Sequence, residues 1–222
     1  MTQSTSAHDG GGQIKSKKRV ADHGEVFTNP REVNAMLDLV KPETQRLDSR
    51  FLEPACGDGN FLIEILRRKL EICRQRVAAR QYTQLQYEQN AVLAVSSIYG
   101  IELLADNAEA CRQRLLDYFV QQYESLFSDA CKPECVESVR FLLGKNIIQG
   151  DALSYHRADH PDEWIVVSEW SMIGQGMVNR RDYEFSYLVG DSAHDDLFSD
   201  IPCATFQPVY FLNLNAKSYG EQ

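Results

Sequence analysis

Two glycines one residue apart, Gly57 and Gly59 in "FLEPACGDGNFL", stand directly behind a short apolar run and directly ahead of a helix-like segment. This is a strand turning sharply into a helix, and it constrains the fold more than any other stretch. Glycine takes up left-handed backbone angles freely and carries no Cβ, so such a turn can be tight and its backbone can lie against a ligand. Turns of this kind belong to open parallel sheets, where ligands bind beyond the carboxyl ends of the strands.

The rest of the chain supplies the alternation that a parallel sheet needs. "TNPREVNAMLDLV" opens a helix, with Asn29 as cap, Pro30 at the first helical position and Glu32 completing a capping box. "RFLEP" is a short strand closed by Pro54, and "FLIEILRRKLEICRQRVAAR" repeats its apolar residues close to a 3.6 period. "QYTQLQYEQN" reads as a loop or a frayed helix end. A strand "SIYGIEL", a long helix "ADNAEACRQRLLDYFVQQYESL", a helix around "ECVESVRFLL", a strand "NIIQG" and a further strand "EWIVVSEW" follow. Strand and helix in turn predict an α/β fold, a mostly parallel sheet with helices on both faces. Only about fifty residues remain after the last strand, so the C-terminal part of the sheet is expected to be shortened.

Composition narrows the class. At 222 residues, 43% of them hydrophobic, the chain can bury one sizeable core, expected over residues 23–222. No apolar run is long enough to span a bilayer, and "MTQSTSAHDGGGQ" lacks the apolar centre of a signal peptide, so a cytoplasmic protein with no membrane partner is expected. The six cysteines are too scattered for a disulfide scaffold and are expected to be reduced. A formal net charge of −9 argues against a basic face gripping nucleic acid, since phosphate neutralisation supplies most of such affinity. The one basic cluster, Lys15, Lys17, Lys18 and Arg19, falls in residues 1–22, read as a disordered tail or a phosphate-contacting arm.

Acids stand at the strand ends. Glu102 closes the second strand, where a carboxylate can accept both hydroxyls of a ribose, and Asp151 closes the third, where it can accept a purine amino group. This layout suits an adenosine ligand without a pyrophosphate, because the dinucleotide pattern G-x-G-x-x-G is broken at Leu62.

"EPACGDGNF", "IYGIEL" and "IQGDAL", preceded by "GEVFTNP", resemble the cofactor motifs of the adenine-N6 DNA methyltransferases of restriction–modification systems. The resemblance covers residues 23 to 153 and implies the Rossmann-like methyltransferase fold with S-adenosylmethionine as cofactor. It implies that Phe27 and Thr28 close over the methionine end and that Glu53, Pro54, Ala55, Cys56, Gly57 and Gly59 form the cofactor loop. Glu102 would hold the ribose, Asp151 the adenine amino group, and Ala152 would flank the ring. The family usually has Pro where Asn29 stands. In its fourth strand the family carries Asp or Asn, Pro, Pro, then Tyr or Phe; aligning "WIVVSEWSM" puts Glu169, Trp170, Ser171 and Met172 there. Glu169 is then the candidate catalytic acid in a degenerate motif. With no room for a target-recognition domain, DNA binding through a partner chain, in a hetero-oligomer, is expected. The alternative is an S-adenosylmethionine-binding module that has lost the chemistry and acts as a structural or regulatory partner.

Other constellations weigh less. Arg180 and Arg181 beside Tyr183 and Phe185 are a basic pair with aromatics of the kind that contacts a nucleic-acid strand, read here as an exposed turn leading into a half-buried helix. Cys131-x-x-x-Cys135 and His156-x-x-x-His160 have zinc-like spacing, but they would have to converge around the core strand between them, so no metal is expected. Cys56 reads as a small packed residue, and Tyr118, Phe119 and Tyr123 as core.

Overall fold

The computed structural model describes residues 28–189 and 201–221. The basic cluster of the arm, the whole of residues 1–22 and Phe27 lie outside the described residues. Helix α1 (Pro30–Leu39) starts where the sequence expects it: the side-chain oxygen of Asn29 accepts the N–H of Arg31 at 2.9 Å, and Val33 and Leu37 face inward. The one-turn helix α2 (Lys41–Thr44) leads into strand β1 (Phe51–Glu53). Helix α3 (Asn60–Ala78) follows the glycine turn and buries Leu62, Ile65, Leu66, Leu70 and Cys73 of the stripe its periodicity predicts, together with Ile63 and Lys69, while Phe61 and Ile72 of that stripe are half-buried.

Helix α4 (Gln84–Ser96) corrects the reading of "QYTQLQYEQN" as a loop or a frayed helix end, since a new helix begins within it. Its start is a capping box: the Thr83 hydroxyl accepts the N–H of Gln86, whose side-chain oxygen accepts the N–H of Thr83. Thr-x-x-Gln was legible in the sequence but was outweighed by the polarity around it. The helix then buries Tyr87, Ala91, Val92, Ala94 and Val95.

Strand β2 (Ile98–Glu102), helix α5 (Ala105–Phe127), helix α6 (Pro133–Asn146) and strand β3 (Ile147–Asp151) complete the first half. Phe119 and Tyr123 are buried, and Tyr118 is half-buried against the same core. The buried Glu88 carboxylate takes the Tyr123 hydroxyl and, at 2.6 Å, the Lys132 ammonium, which ties α4 to the start of α6. Strands β1, β2 and β3 lie side by side and parallel, with Glu53 opposite Gly100 and Glu102 opposite Gln149. A two-residue strand, β4 (His156–Arg157), adds to β3 antiparallel. The molecule is therefore α/β with a mixed sheet containing parallel strands.

The second half departs from the expectation. Strand β5 (Val166–Met172) does not extend the parallel sheet; it pairs antiparallel along its whole length with β6 (Met177–Glu184). β6 also pairs with the two-residue strands β7 (Ala204–Thr205) and β8 (Val209–Tyr210), and the short helix α7 (Phe185–Val189) follows it. Alternate residues of a strand face opposite sides. In β2, Gly100 faces Cys56 and Leu62, whereas Tyr99 points the other way and donates its hydroxyl to the carbonyl of Ser168 in β5. Helices were expected on both faces; among the described residues the β5–β6 hairpin lies over the Tyr99 face.

The basic pair in "VNRRDY" is correspondingly reassigned from a turn to a strand. Arg180 is 3% exposed: it grips Asp182 with two nitrogens, at 2.8 and 2.7 Å, and reaches Glu221 at 2.7 Å. Its guanidinium lies over the rings of Phe206, Trp170 and Tyr219, 4.4 to 5.3 Å from their centroids. Tyr183 and Phe185 are buried too. Arg180 thus fastens the C-terminal segment to the hairpin, whereas Arg181 is half exposed and lies 4.0 Å from Glu169.

Candidate ligand site at the strand tips

The three tip acids share one face of the sheet, and the register explains why. Glu53 is level with Gly100, two residues before Glu102; Glu102 is level with Gln149, two residues before Asp151. Each step of two preserves the face and carries the tip about 6.6 Å further along. The carboxyl end of the sheet is thus a staircase of Glu53, Glu102 and Asp151.

The glycine turn folds onto the middle step. Cys56 donates its N–H to Ile101 at 3.0 Å and Gly59 donates to Cys56 at 2.9 Å, which closes the turn. Gly57 and Gly59 both have left-handed angles, φ +54° and +89°. A Cβ on Gly59 would stand 2.7 Å from the Cys111 sulfur, so this glycine is required by packing; a Cβ on Gly57 would meet nothing within 4 Å. Gly57 therefore borders open space, with its N–H directed to Glu102 Oε2 at 2.8 Å.

Glu102 is 8% exposed and well anchored. Its Oε1 accepts the N–H of Leu104 at 3.0 Å, ahead of α5, and the amide of Asn107 at 3.4 Å. A carboxylate oxygen has two lone pairs, so Oε2 keeps acceptor capacity beside its bond to Gly57. Asn107 and Cys111 are the residues that sequence reasoning missed here. Asn107 was legible as a polar residue in the first turn after a tip acid, and Cys111 lies one helical turn further along the same face.

The neighbouring steps are less occupied. Burial raises the Glu53 carboxyl above the ordinary carboxylate range, opposed by the N–H of Ala55. Pro54 and Ala55 are exposed in the turn, whereas Cys56 is buried. Asp151 accepts the N–H of Leu153 at 2.9 Å, and this bond holds its carboxyl below the usual range. Ala152 is half-buried against the core, and Thr28 is half-buried just before α1. Leu103 and Leu153, the residue after Glu102 and the second after Asp151, are 48% and 91% exposed and give the tips an apolar rim.

Glu169 is not part of this site. Its carboxylate meets Arg50 at 2.5 Å, and Arg50 is the residue before β1 begins. It therefore sits at the amino end of the parallel strands, the end opposite Glu102. The assignment of Glu169 as catalytic acid required it at the tip of a fourth strand of the parallel sheet; β5 instead belongs to a separate sheet with β6, and Glu169 lies in mid-strand. A polar cavity of about 380 Å³ lies elsewhere too, between the outer edge of β3 and the hairpin, where Arg157 and Arg180 are each paired with acids. Among the described residues no three His, Cys, Asp or Glu side chains come together to hold a metal ion, and no helix is long and apolar enough to cross a membrane.

Comparison with protein-family models, with curated proteins and with solved structures gives no match to this chain.

Proposed function

We propose that the strand-tip site binds S-adenosylmethionine and that the chain is a methyltransferase subunit of the adenine-N6 DNA type, acting with a partner chain that grips the DNA. The observation that carries this reading is the Gly57 N–H on Glu102 Oε2, which unites a left-handed glycine turn and a strand-tip carboxylate in one site. The residues fit the cofactor: open space borders Gly57, Glu102 keeps a free acceptor position for ribose hydroxyls, and Asp151 stands one step beyond for a purine amino group. The cofactor supplies a methyl group activated on a sulfonium. The chain's own part is to orient it: the backbone of the glycine turn lines one side, Glu102 fixes the sugar, and the apolar rim keeps water away. Rigid donors and acceptors that hold reactants in line account for much of the rate enhancement in transfer reactions.

A second reading has its own observation. With Glu169 committed to Arg50 at the far end of the sheet, the one acid aligned with the catalytic motif stands away from the tips. This favours a binding module whose ligand is structural or regulatory, or an acceptor-side acid supplied by the partner. Calorimetry with S-adenosylmethionine and S-adenosylhomocysteine tests the common premise, and absence of heat with both would end both readings. Transfer of labelled methyl to unmodified DNA, with and without partner chains, separates them.

A further inference from the structure

The cavity of about 380 Å³ between the outer edge of β3 and the hairpin has walls that differ in chemistry. The helices give it only cations, Arg112 of α5 and Lys145 in the last turn of α6, beside Gly144. Nε and Nη2 of Arg112 hold the Ile147 carbonyl, and Nη1 meets Glu109, a solvent-facing acid outside the lining, at 3.1 Å. Two of the five guanidinium N–H groups then have no partner among the described residues. Lys145 gives Glu221 one of its three, at 2.6 Å. Residues 157–164 form a second wall with acceptors and a ring: Asp159, Glu163 and Trp164, which is 43% exposed and has His156 stacked 4.0 Å from its centroid. The hairpin wall of Ser168, Arg180 and Asp182 is closed on itself by hydrogen bonds.

We infer that this cavity is a second ligand site, independent of the strand tips, for a nucleoside monophosphate whose phosphate meets Arg112 and Lys145 and whose base lies against Trp164. The size suits one nucleotide, since small-molecule sites begin at about 300 Å³. The spare N–H groups of Arg112 and Lys145 match phosphate oxygens, and charge-assisted hydrogen bonds of this kind are among the strongest a protein makes. Glu109 competes poorly for Arg112, because a solvent-facing ion pair is worth little. The deeper acids do not repel a phosphate as bare charges: Asp182 is held by Arg180, Glu221 by Arg180 and Lys145, and Asp159 by Arg157. Glu163, the neighbour of Trp164 and 3.8 Å from Arg157, keeps acceptor capacity for an amino group on the base edge. A ring with amino donors at one end and an anion at the other is the chemistry that both walls recognise.

The test is calorimetry of the full chain with AMP and with ribose 5-phosphate. AMP is expected to bind, and ribose 5-phosphate about tenfold more weakly, as the stacking of one base on an aromatic ring predicts. Lys145→Gln should weaken AMP by about tenfold, as loss of a hydrogen bond to a charged group predicts. Gly144→Leu should abolish AMP binding: a Cβ there meets no atom within 4 Å and the residue is helical, so the new side chain extends into the cavity without disturbing the fold. Lys145→Gln leaves Glu221 paired with Arg180 and so tests the site even if Gly144→Leu is unstable. Absence of heat with AMP overturns the inference, and so does AMP binding that survives both substitutions, which would place the nucleotide elsewhere, the strand tips included. Equal affinity for ribose 5-phosphate overturns the assignment of the base to Trp164. Binding of S-adenosylhomocysteine should be unchanged in both variants, and its failure in wild type refutes the strand-tip reading while the AMP result stands.

Discussion

The stretch from β1 to β3 and the stretch from β5 to the C-terminus use the same residue types to opposite ends. In the first, Glu102 stands at a strand tip with part of its acceptor capacity open; in the second, Glu169 lies mid-strand and is committed to Arg50. Arg112, in the first, is half-buried and caps the Ile147 carbonyl, whereas Arg180, in the second, is enclosed by three rings and two carboxylates. Charge at a strand tip can meet a ligand. Charge within a hairpin packed on a sheet has to be neutralised by the protein itself, because a buried ion left alone costs several kcal/mol.

The comparison breaks most visibly at Arg180. Arg180→Ala leaves Asp182 buried without its counter-ion and empties the space between the rings, so it should cost about 3–5 kcal/mol in denaturant unfolding. A loss under about 1 kcal/mol would mean that the second half is held by apolar packing alone. At the equivalent point of the first half, Glu102→Ala should weaken S-adenosylhomocysteine binding by about 1.5–3 kcal/mol in calorimetry, as expected for hydrogen bonds to a charged group.

The two glycines sharpen the distinction between packing and ligand roles. Gly59→Ala combines left-handed strain with a Cβ against Cys111, and should destabilise by about 1–3 kcal/mol. Gly57→Ala meets no atom and should cost only about 1 kcal/mol of backbone strain, so calorimetry of that variant reads the ligand contact with little loss of fold. Equal losses of stability would show that the turn does not press on α5.

Lys69 of α3 tests the first half through pH. Its ammonium is fully buried, donating to the carbonyls of Leu47 and Ser49 and to the Ser97 hydroxyl, and burial lowers its pKa to about 7 from 10.5. Above pH 7 the unfolded chain holds this proton more often than the folded one, so the lysine makes stability rise with pH. The window closes near the ordinary lysine value of 10.5, above which the unfolded chain releases the proton as well. Between these limits wild type should gain up to about 1 kcal/mol per pH unit relative to Lys69→Met; parallel pH profiles for the two proteins would refute the shift.

Glu169→Gln should have the smallest effect. The pair with Arg50 is partly solvated, so about 0.5–1 kcal/mol of stability is expected to go, with ligand affinity unchanged. A large loss of affinity would return Glu169 to the site.

How much of this was legible depended on how local the signal was. The glycine turn, its flanking strand and helix, the tip acids and the Asn29 cap are written in neighbouring residues, because each follows from backbone angles or from a periodicity of a few residues. Helix α4 was legible in principle through Thr83 and Gln86, but polar residues concealed a face buried only by tertiary packing. The fate of "EWIVVSEWSM" was not legible: an apolar run says that a strand is buried, and leaves open which strand it pairs with and in which direction. That choice was decided by Tyr99 reaching Ser168, by the antiparallel ladder to β6 and by Arg180 drawing Phe206, Tyr219 and Glu221 over the hairpin. The sequence by itself determined the turn and the acids that end each parallel strand, since steric freedom at glycine and the two-residue repeat of a strand are properties of the chain. Which acid faces a ligand and which faces an arginine was decided only by the tertiary structure, because burial and partner choice depend on residues more than a hundred positions apart, such as Arg50 and Glu169.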